Sequence, residues 1–541
     1  MSYRLAVTVA GAVSLGSFEA GVLLEVLDAL AQHNQAAPAA ERIYLDVFTG
    51  ASAGGMTAAI AAQTILYSWP AAPDPYDNPF YNAWVAGVDI NGLLPLAANE
   101  SAGQSVFSSD FVQGVASKFL LGRYTKLPAP PATPHPALNP AGSISLGLAL
   151  SNLNGVDYQR RLLSGGTFNY TQFQDQIAFR LSAASDTSAA WTPIMNAAVA
   201  CGAFPFAFRP QDLNREQSDY DPTFLAPWEQ SPRDFTYTDG GVFQNQPLGM
   251  AKNLVDALDQ HQNSDTRSYL FVSPRAVDPT VGGITAGSAA FKMMTGALIN
   301  AVFNQAGFQD WIEAESVNDA VTLLNLRATQ LADLMRSGTV QAPTLHAVTA
   351  FLLPQFRPNP AELNAAQTQL RTQFSTQYAQ LSSSSNAATA DAWLDAILLL
   401  ELAADLHEKD EMYIYSIEAD RANLAGAGFF SFLGFLDRSF RDHDYDIGRQ
   451  KAQAFLAAIH QTSNGKLPQL IYTPKPIRPI APTPEGGFTP ADIPQQNRKQ
   501  LYGALSAAVD NMLKQLGVGL IMRKGIETFF VNGKLKKMLA S

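Results

Sequence analysis

Two runs of different character meet across five small residues, and that junction limits the possible folds more than any other stretch of the chain. Residues 43–49 (IYLDVFT) have the apolar, β-branched and aromatic content of a buried strand, and residues 54–66 form an alanine-rich, helix-forming run. Between them stands Gly50-Ala51-Ser52-Ala53-Gly54. A strand that turns directly into a helix belongs to a layered α/β arrangement, in which helices cover the sheet. So sharp a turn is crowded, and its flanking positions are correspondingly small.

The first half of the chain repeats this alternation. Residues 5–10 read as a buried strand, and residues 17–32 as a helix with Val22, Leu23, Val26, Leu27 and Leu30 at helical spacing. Further strands are expected at 143–152, 177–184, 235–238 and 268–273, giving a largely parallel sheet covered on both faces. From about residue 285 strand signals fade. Amphipathic helical patterns follow at 291–303, 311–337, 360–382, 391–408 and 446–460. Proline-rich stretches at 126–140 and 467–494 read as connectors, and 210–233 as a surface excursion. The expected division is an α/β domain over 1–284, a helical region over 285–466, a Pro-rich linker over 467–496 and a basic helical segment over 497–541.

Composition narrows the function. Hydrophobic residues make up 47% and charged residues 15%, which supplies a large core and too little charge for a disordered chain. A net charge of −11 argues against a general nucleic-acid binder. The single cysteine, Cys201, rules out an intramolecular disulfide and reads as a small buried hydrophobe. Arg4 and the apolar run 5–18 imitate a signal peptide, but Glu19 and the glycines at 11, 16 and 21 favour a buried strand and turn. No uninterrupted apolar stretch of about 20 residues is present, so no spanning helix is expected. The expected location is the cytoplasm, with peripheral membrane contact as an open alternative.

Three motifs carry chemistry. The G-x-S-x-G turn projects the Ser52 hydroxyl from the sheet as a nucleophile, with Gly50 and Gly54 allowing the elbow and a helix N-terminus aimed at developing negative charge. Residues 10–16 (AGAVSLG) link the first strand to the first helix, and the N–H groups of Gly11, Ala12, Val13 and Ser14 are candidate oxyanion donors. Asp239, followed by Gly240 and Gly241, ends a short strand and can bring a carboxylate close to another loop as a base. The loop and the Asp-Gly-Gly each read alone as ordinary turns, while the strand–turn–helix context lifts the Ser52 elbow above that reading. In this order, each at a strand end, they fit one site.

Together they resemble the patatin-like phospholipases, a family with a Gly-rich oxyanion loop, a G-x-S-x-G elbow and a D-G-G or D-G-A that supplies the base of a Ser–Asp dyad. Ser52 and Asp239 fall on the dyad positions. Gly16 and Gly21-Val22-Leu23, the block 198–210 (AVACGAFPFAFRP), Asn245 and Pro247 also agree with the family pattern, and 440–449 (FRDHDYDIGR) looks like a segment of long bacterial patatin-related proteins. The resemblance covers residues 5–275 well and the helical half loosely. It implies a three-layer core with a mostly parallel sheet, plus a C-terminal all-helical region. It also implies phospholipase A or lysophospholipase chemistry on a phospholipid or other acyl-ester lipid, through an acyl-enzyme and with no metal or cofactor. The chain departs from the family's usual G-G-G-x-R/K-G loop, since Ala12, Val13 and Leu15 replace two glycines and the basic residue.

Two alternatives stand beside this reading. One is an α/β-hydrolase whose triad takes its histidine from His261, His346, His407, His443 or His460. The other is a catalytically weak lipid-binding or scaffold protein, suggested by the altered loop. The clusters His407/Asp410/Glu411 and His443/Asp444/Asp446 read as solvated helix faces rather than metal sites. The apolar stretch 424–436 reads as packed core, acyl-channel wall or lipid-dipping segment. The basic stretch 514–541 is balanced between a docked helix and a peripheral membrane helix.

Overall fold

Strands that are apolar on both faces need cover above and below, and the runs around residues 5, 45 and 270 obtain it in a mixed sheet. The computed structural model describes residues 2–161, 166–259, 266–274, 318–404, 412–427 and 431–484 continuously, with isolated positions between and beyond them as far as 514. It has two compact units: 1–254 with 266–310 and 414–541, and 255–265 with 311–413.

Among the described residues the first unit has eight strands: β1 (Tyr3–Val9), β2 (Ile43–Gly50), β3 (Ser143–Arg161), β4 (Thr167–Ser182), β5 (Gln211–Arg215), β6 (Arg233–Asp239), β7 (Arg267–Ser273) and β8 (Ile414–Glu418). Their order is β5-β6-β3-β2-β1-β7-β8, with β4 paired to β3 off this path. The centre of the sheet is parallel: β1 pairs with β2 and β7, β2 with β3, and β7 with β8. Its helices include α1 (Gly16–Ala36), α2 (Ser52–Tyr67), α3 (Ser109–Leu120), α4 (Ser188–Cys201), the first part of α5 (Leu248–Asp259), up to residue 254, and α6 (Arg438–Thr462). The mostly parallel sheet with its covering helices and the helical region later in the chain follow the architecture expected from sequence.

Several elements differ in detail. The runs at 143–152 and 177–184 are not successive parallel strands. They lie in β3 and β4, a long antiparallel hairpin with an irregularity between Ser151 and Val156. β6 is also antiparallel to β3, pairing Asp239 with Leu150. Because Gly50 pairs with Leu148, β6 descends from the opposite direction and stops close to the level at which β2 ends. β8 is a strand that the helical patterns hid: five residues, IYSIE, too short to show an alternation.

Helix α6 starts before the expected 446, because Asp437 caps it by accepting from Ser439 N at 2.8 Å. It lies directly on α1. A Cβ at Gly21 would sit 2.1 Å from the Tyr445 carbonyl oxygen, and one at Gly448 2.1 Å from that of Phe18, so glycine lets the two backbones touch. A buried Arg449–Glu25 bond of 2.6 Å ties the same pair. The Pro-rich stretch 467–484 has no regular structure. It is pinned to the unit by Arg478, which bonds Asp446 at 3.0 Å and Asp442 at 2.8 Å.

The second unit is helical, with residues 318–336 and the helices Ala342–Phe356, Pro360–Gln373, Ser375–Ser384 and Ala387–Ala403. Its core gathers around Trp393, whose indole N–H donates to Ala328 O at 3.0 Å. The expected helix at 291–303 apart from residue 301, the cluster His407/Asp410/Glu411 and most of the basic stretch 514–541 lie outside the described residues.

Candidate active site

The strand ends converge as the register dictates. Val9 of β1 pairs with Gly50 of β2, so the loop after β1 and the turn after β2 emerge side by side. Ser52 follows at φ +51°, in the left-handed region that a non-glycine residue occupies only when its surroundings hold it there. The small flanking residues explain how it fits. A Cβ at Gly54 would fall 2.3 Å from Ala10 O and 2.5 Å from Val9 O. Ser52 then opens α2, so its hydroxyl lies at that helix's positive end.

Asp239 meets it from β6. The Ser52 hydroxyl donates to Asp239 Oδ2 at 2.5 Å, and both residues are buried. The second carboxylate oxygen, Oδ1, accepts Gly241 N–H at 2.7 Å. The backbone is fixed as well: Asp239 N donates to Ala203 O at 3.0 Å, and Ser151 Oγ donates to Asp239 O at 2.7 Å. Burial pushes the Asp239 carboxyl up to about 7, opposed by the bonds from Ser52 and Gly241. A carboxylate with its pKa near neutrality, 2.5 Å from a serine hydroxyl, has the reach and the proton affinity of a general base.

Among the described residues no histidine bonds either partner. His33, His135, His346, His443 and His460 make their contacts with Glu41, Leu27, Asp395, Asp444 and Leu467 respectively. His261 and His407 lie outside the described residues.

The loop after β1 passes beside Ser52. A Cβ at Gly11 would lie 3.1 Å from Ser52 Cβ and 1.9 Å from Asn245 Oδ1. The Gly11 N–H is already taken by Asn245 O at 2.9 Å. The N–H groups of Ala12 and Val13 have no partner among the described residues. Val13 stands at φ +53°, a costly conformation for a β-branched residue. The Ser14 side chain turns away from Ser52: its hydroxyl donates to Ser431 O and accepts Gly434 N–H at 3.1 Å.

An apolar cavity of about 740 Å³, open mouth included, extends from Ser52. Its walls come from the loop (Val13), α2 (Met56, Ile60), residues 83–88 (Trp84, Val88), α3 (Val112, Val115, Phe119), the segment after α4 (Phe204, Phe208) and Phe435. A volume of this order suits a small-molecule or chain-like ligand. Cys201 is buried beneath the elbow, 3.8 Å from the Gly50 and Ser52 carbonyl oxygens, and burial together with the Asp239 charge pushes its thiol well up. It is an inert packing residue there.

Two segments differ from what their sequence suggests. The 443–446 cluster is not a solvated face. Asp444 is fully buried and accepts Ala425 N–H at 2.6 Å and Gly426 N–H at 2.8 Å, while Asp446 accepts from Tyr76 at 3.0 Å. Its partners come from segments distant in sequence, which local charge spacing does not reveal. Of the apolar stretch 424–436, Leu424, Ala425, Leu433 and Phe435 are buried, and Phe435 lines the cavity. Among the described residues no helix is long and apolar enough to cross a membrane.

Comparison with known proteins adds the family. An uncharacterized protein, y4iI, of Sinorhizobium fredii (strain NBRC 101917 / NGR234) is 24% identical over 326 residues, covering 46% of this chain. The match spans less than half of that relative's own length, 45%. The family model described as patatin-like phospholipase matches residues 7–252, the stretch that contains the elbow, the loop after β1 and Asp239. Residues 7–252 of this chain therefore carry a patatin-like phospholipase domain.

Proposed function

We propose that this chain is a serine lipid acyl hydrolase of phospholipase A or lysophospholipase type, which cleaves carboxylic esters through Ser52 and Asp239. The observation that carries the reading is the 2.5 Å bond between a buried carboxylate and a strained, buried serine that lines an apolar cavity.

In this reading the acyl chain lies in the cavity, with its ester carbonyl over Ser52. Asp239 Oδ2 takes the hydroxyl proton as Ser52 Oγ bonds to the carbonyl carbon. The carbonyl oxygen becomes an oxyanion, held by the Ala12 and Val13 N–H groups and by the positive end of α2. Asp239, now protonated, returns its proton to the leaving alcohol oxygen as the C–O bond breaks. Water repeats the sequence on the acyl-enzyme: Asp239 takes one of its protons, the fatty acid leaves, and Ser52 regains its hydroxyl. No step calls for a metal or a cofactor. The basic residues Arg523, Lys524, Lys534, Lys536 and Lys537 are proposed to add peripheral contact with an anionic membrane.

The test is ester hydrolysis by wild type, Ser52→Ala and Asp239→Asn, on a short nitrophenyl ester and on mixed phospholipid vesicles in parallel. Activity on both substrates, lost in both variants, supports the dyad. Hydrolysis that survives in Ser52→Ala defeats the mechanism. A folded wild type silent on every ester favours a lipid-binding role instead.

A further inference from the structure

The loop that faces Ser52 is held by residues far outside the matched domain. Ser14 follows the amides of Ala12 and Val13, which have no partner among the described residues, and its hydroxyl both donates to Ser431 O and accepts Gly434 N–H. The approach is close. A Cβ at Gly434 would fall 2.6 Å from Ser14 Oγ, and one at Gly426 would fall 3.0 Å from Leu15 Cδ2.

Those residues are themselves held from below by α6. The Asp444 carboxylate accepts Ala425 N–H at 2.6 Å and Gly426 N–H at 2.8 Å. The buried Arg441 guanidinium donates to Gly434 O at 2.7 Å and to Val85 O at 3.0 Å. Arg441 thereby joins Gly434 to the cavity wall that carries Trp84, whose ring packs on Gly16 at the end of the same loop. A β-branched residue at φ +53° does not hold that conformation unaided. A loop with few glycines therefore needs an external brace, and residues 424–427 and 431–436 have the contacts of one.

We propose that Ser14, Asp444 and Arg441 are positioning residues. Through residues 424–427 and 431–436 they hold the Ala12 and Val13 amides in the geometry that stabilises the oxyanion, so the region after the patatin-like domain completes its site. This rests on the hydrolase reading given above. A misplacement of about 1 Å in a catalytic donor can cost on the order of 100-fold in rate.

The experiment uses the full chain and the variants Ser14→Ala and Asp444→Asn. It reads kcat and KM on a nitrophenyl ester, affinity for a long-chain trifluoromethyl ketone, and amide hydrogen exchange at residues 10–16. The expected result is a fall in kcat of about 10- to 100-fold with KM within about twofold. Ketone affinity falls by a similar factor, because the hemiketal oxygen uses the same donors, and exchange at 10–16 quickens. Asp444 is bonded to Ala425, Gly426 and His443 and is not a wall of the cavity, so Asp444→Asn still decides the matter if Ser14→Ala fails to fold. Unchanged kcat, or a lower kcat with ketone affinity retained, overturns the oxyanion role. Unchanged exchange overturns the brace itself. A wild type that does not react with a fluorophosphonate defeats the hydrolase reading and the oxyanion role with it, while exchange still reports on the brace.

Discussion

Replacing Asp239 with asparagine is predicted to inactivate the protein and to stabilise it at the same time. The amide side chain keeps the shape of the carboxylate and can still accept the Gly241 N–H, which is 2.7 Å from Asp239 Oδ1. The carboxyl it replaces is buried, with a pKa of about 7 against an ordinary 3.8. A carboxyl raised in the folded state binds more protons there than in the unfolded chain, so stability falls as pH rises from about 4 to about 7. At about 1.36 kcal/mol per pH unit, the raised pKa lowers stability, relative to acid pH, by about 2 kcal/mol at pH 5, where only the unfolded chain ionises, and by about 4 kcal/mol at pH 8. Urea unfolding at the two pH values therefore has Asp239→Asn gaining on wild type by about 2–3 kcal/mol more at pH 8 than at pH 5. Loss of the base lowers kcat/KM by about 10²- to 10⁴-fold, and wild-type kcat/KM on a neutral ester rises with pH through about 7. A stability difference that does not change between pH 5 and pH 8 would refute the reasoning, since Asp239 would then ionise as easily in the fold as in water.

Other predictions concern packing and specificity. A Cβ at Gly55 would lie 2.5 Å from Cys201 Sγ, so Gly55→Ala is expected to cost about 1–3 kcal/mol, with much of it recovered in a Cys201→Ala background. A double-mutant cycle with no coupling contradicts that contact. Ala116→Phe fills part of the cavity and is expected to penalise long acyl esters by about 0.8 kcal/mol per excluded methylene while sparing acetate esters. Equal loss on all chain lengths would remove the acyl chain from this cavity. Asp46→Asn breaks the buried bidentate pair with Arg267, at 2.6 and 2.9 Å, and is expected to cost about 3–5 kcal/mol in thermal or urea unfolding. Deleting 515–541 is expected to weaken binding to anionic vesicles in a flotation assay by roughly 1 kcal/mol per basic residue that reached the surface, and unchanged binding ends the membrane proposal.

What could be read from the sequence was whatever short-range pattern encodes. The turn around Ser52 announces itself because a strand, five small residues and a helix stand next to one another. Asp239 followed by two glycines is equally local. The direction of β6 is not, because a run of apolar residues does not show whether its partner runs parallel or antiparallel. The strand Ile414–Glu418 was hidden for a related reason: five residues become a strand only by pairing with β7. The 443–446 cluster shows the limit most sharply. Its residue types suggest a wet helix face, yet Asp444 is buried because it caps backbone amides at 425 and 426. Likewise, nothing in the sequence near Ser14 says that its hydroxyl is engaged some 420 residues away.

The most direct test of the central claim is covalent capture of the nucleophile. Wild type, Ser52→Ala and Asp239→Asn are treated with a long-chain fluorophosphonate, and the adduct is mapped by mass spectrometry of the digested chain. The account predicts one adduct per chain, on the peptide that carries Ser52, absent in Ser52→Ala and formed far more slowly in Asp239→Asn. A folded wild type that takes no adduct, or one that takes it on another residue, would contradict the assignment of Ser52 as the nucleophile.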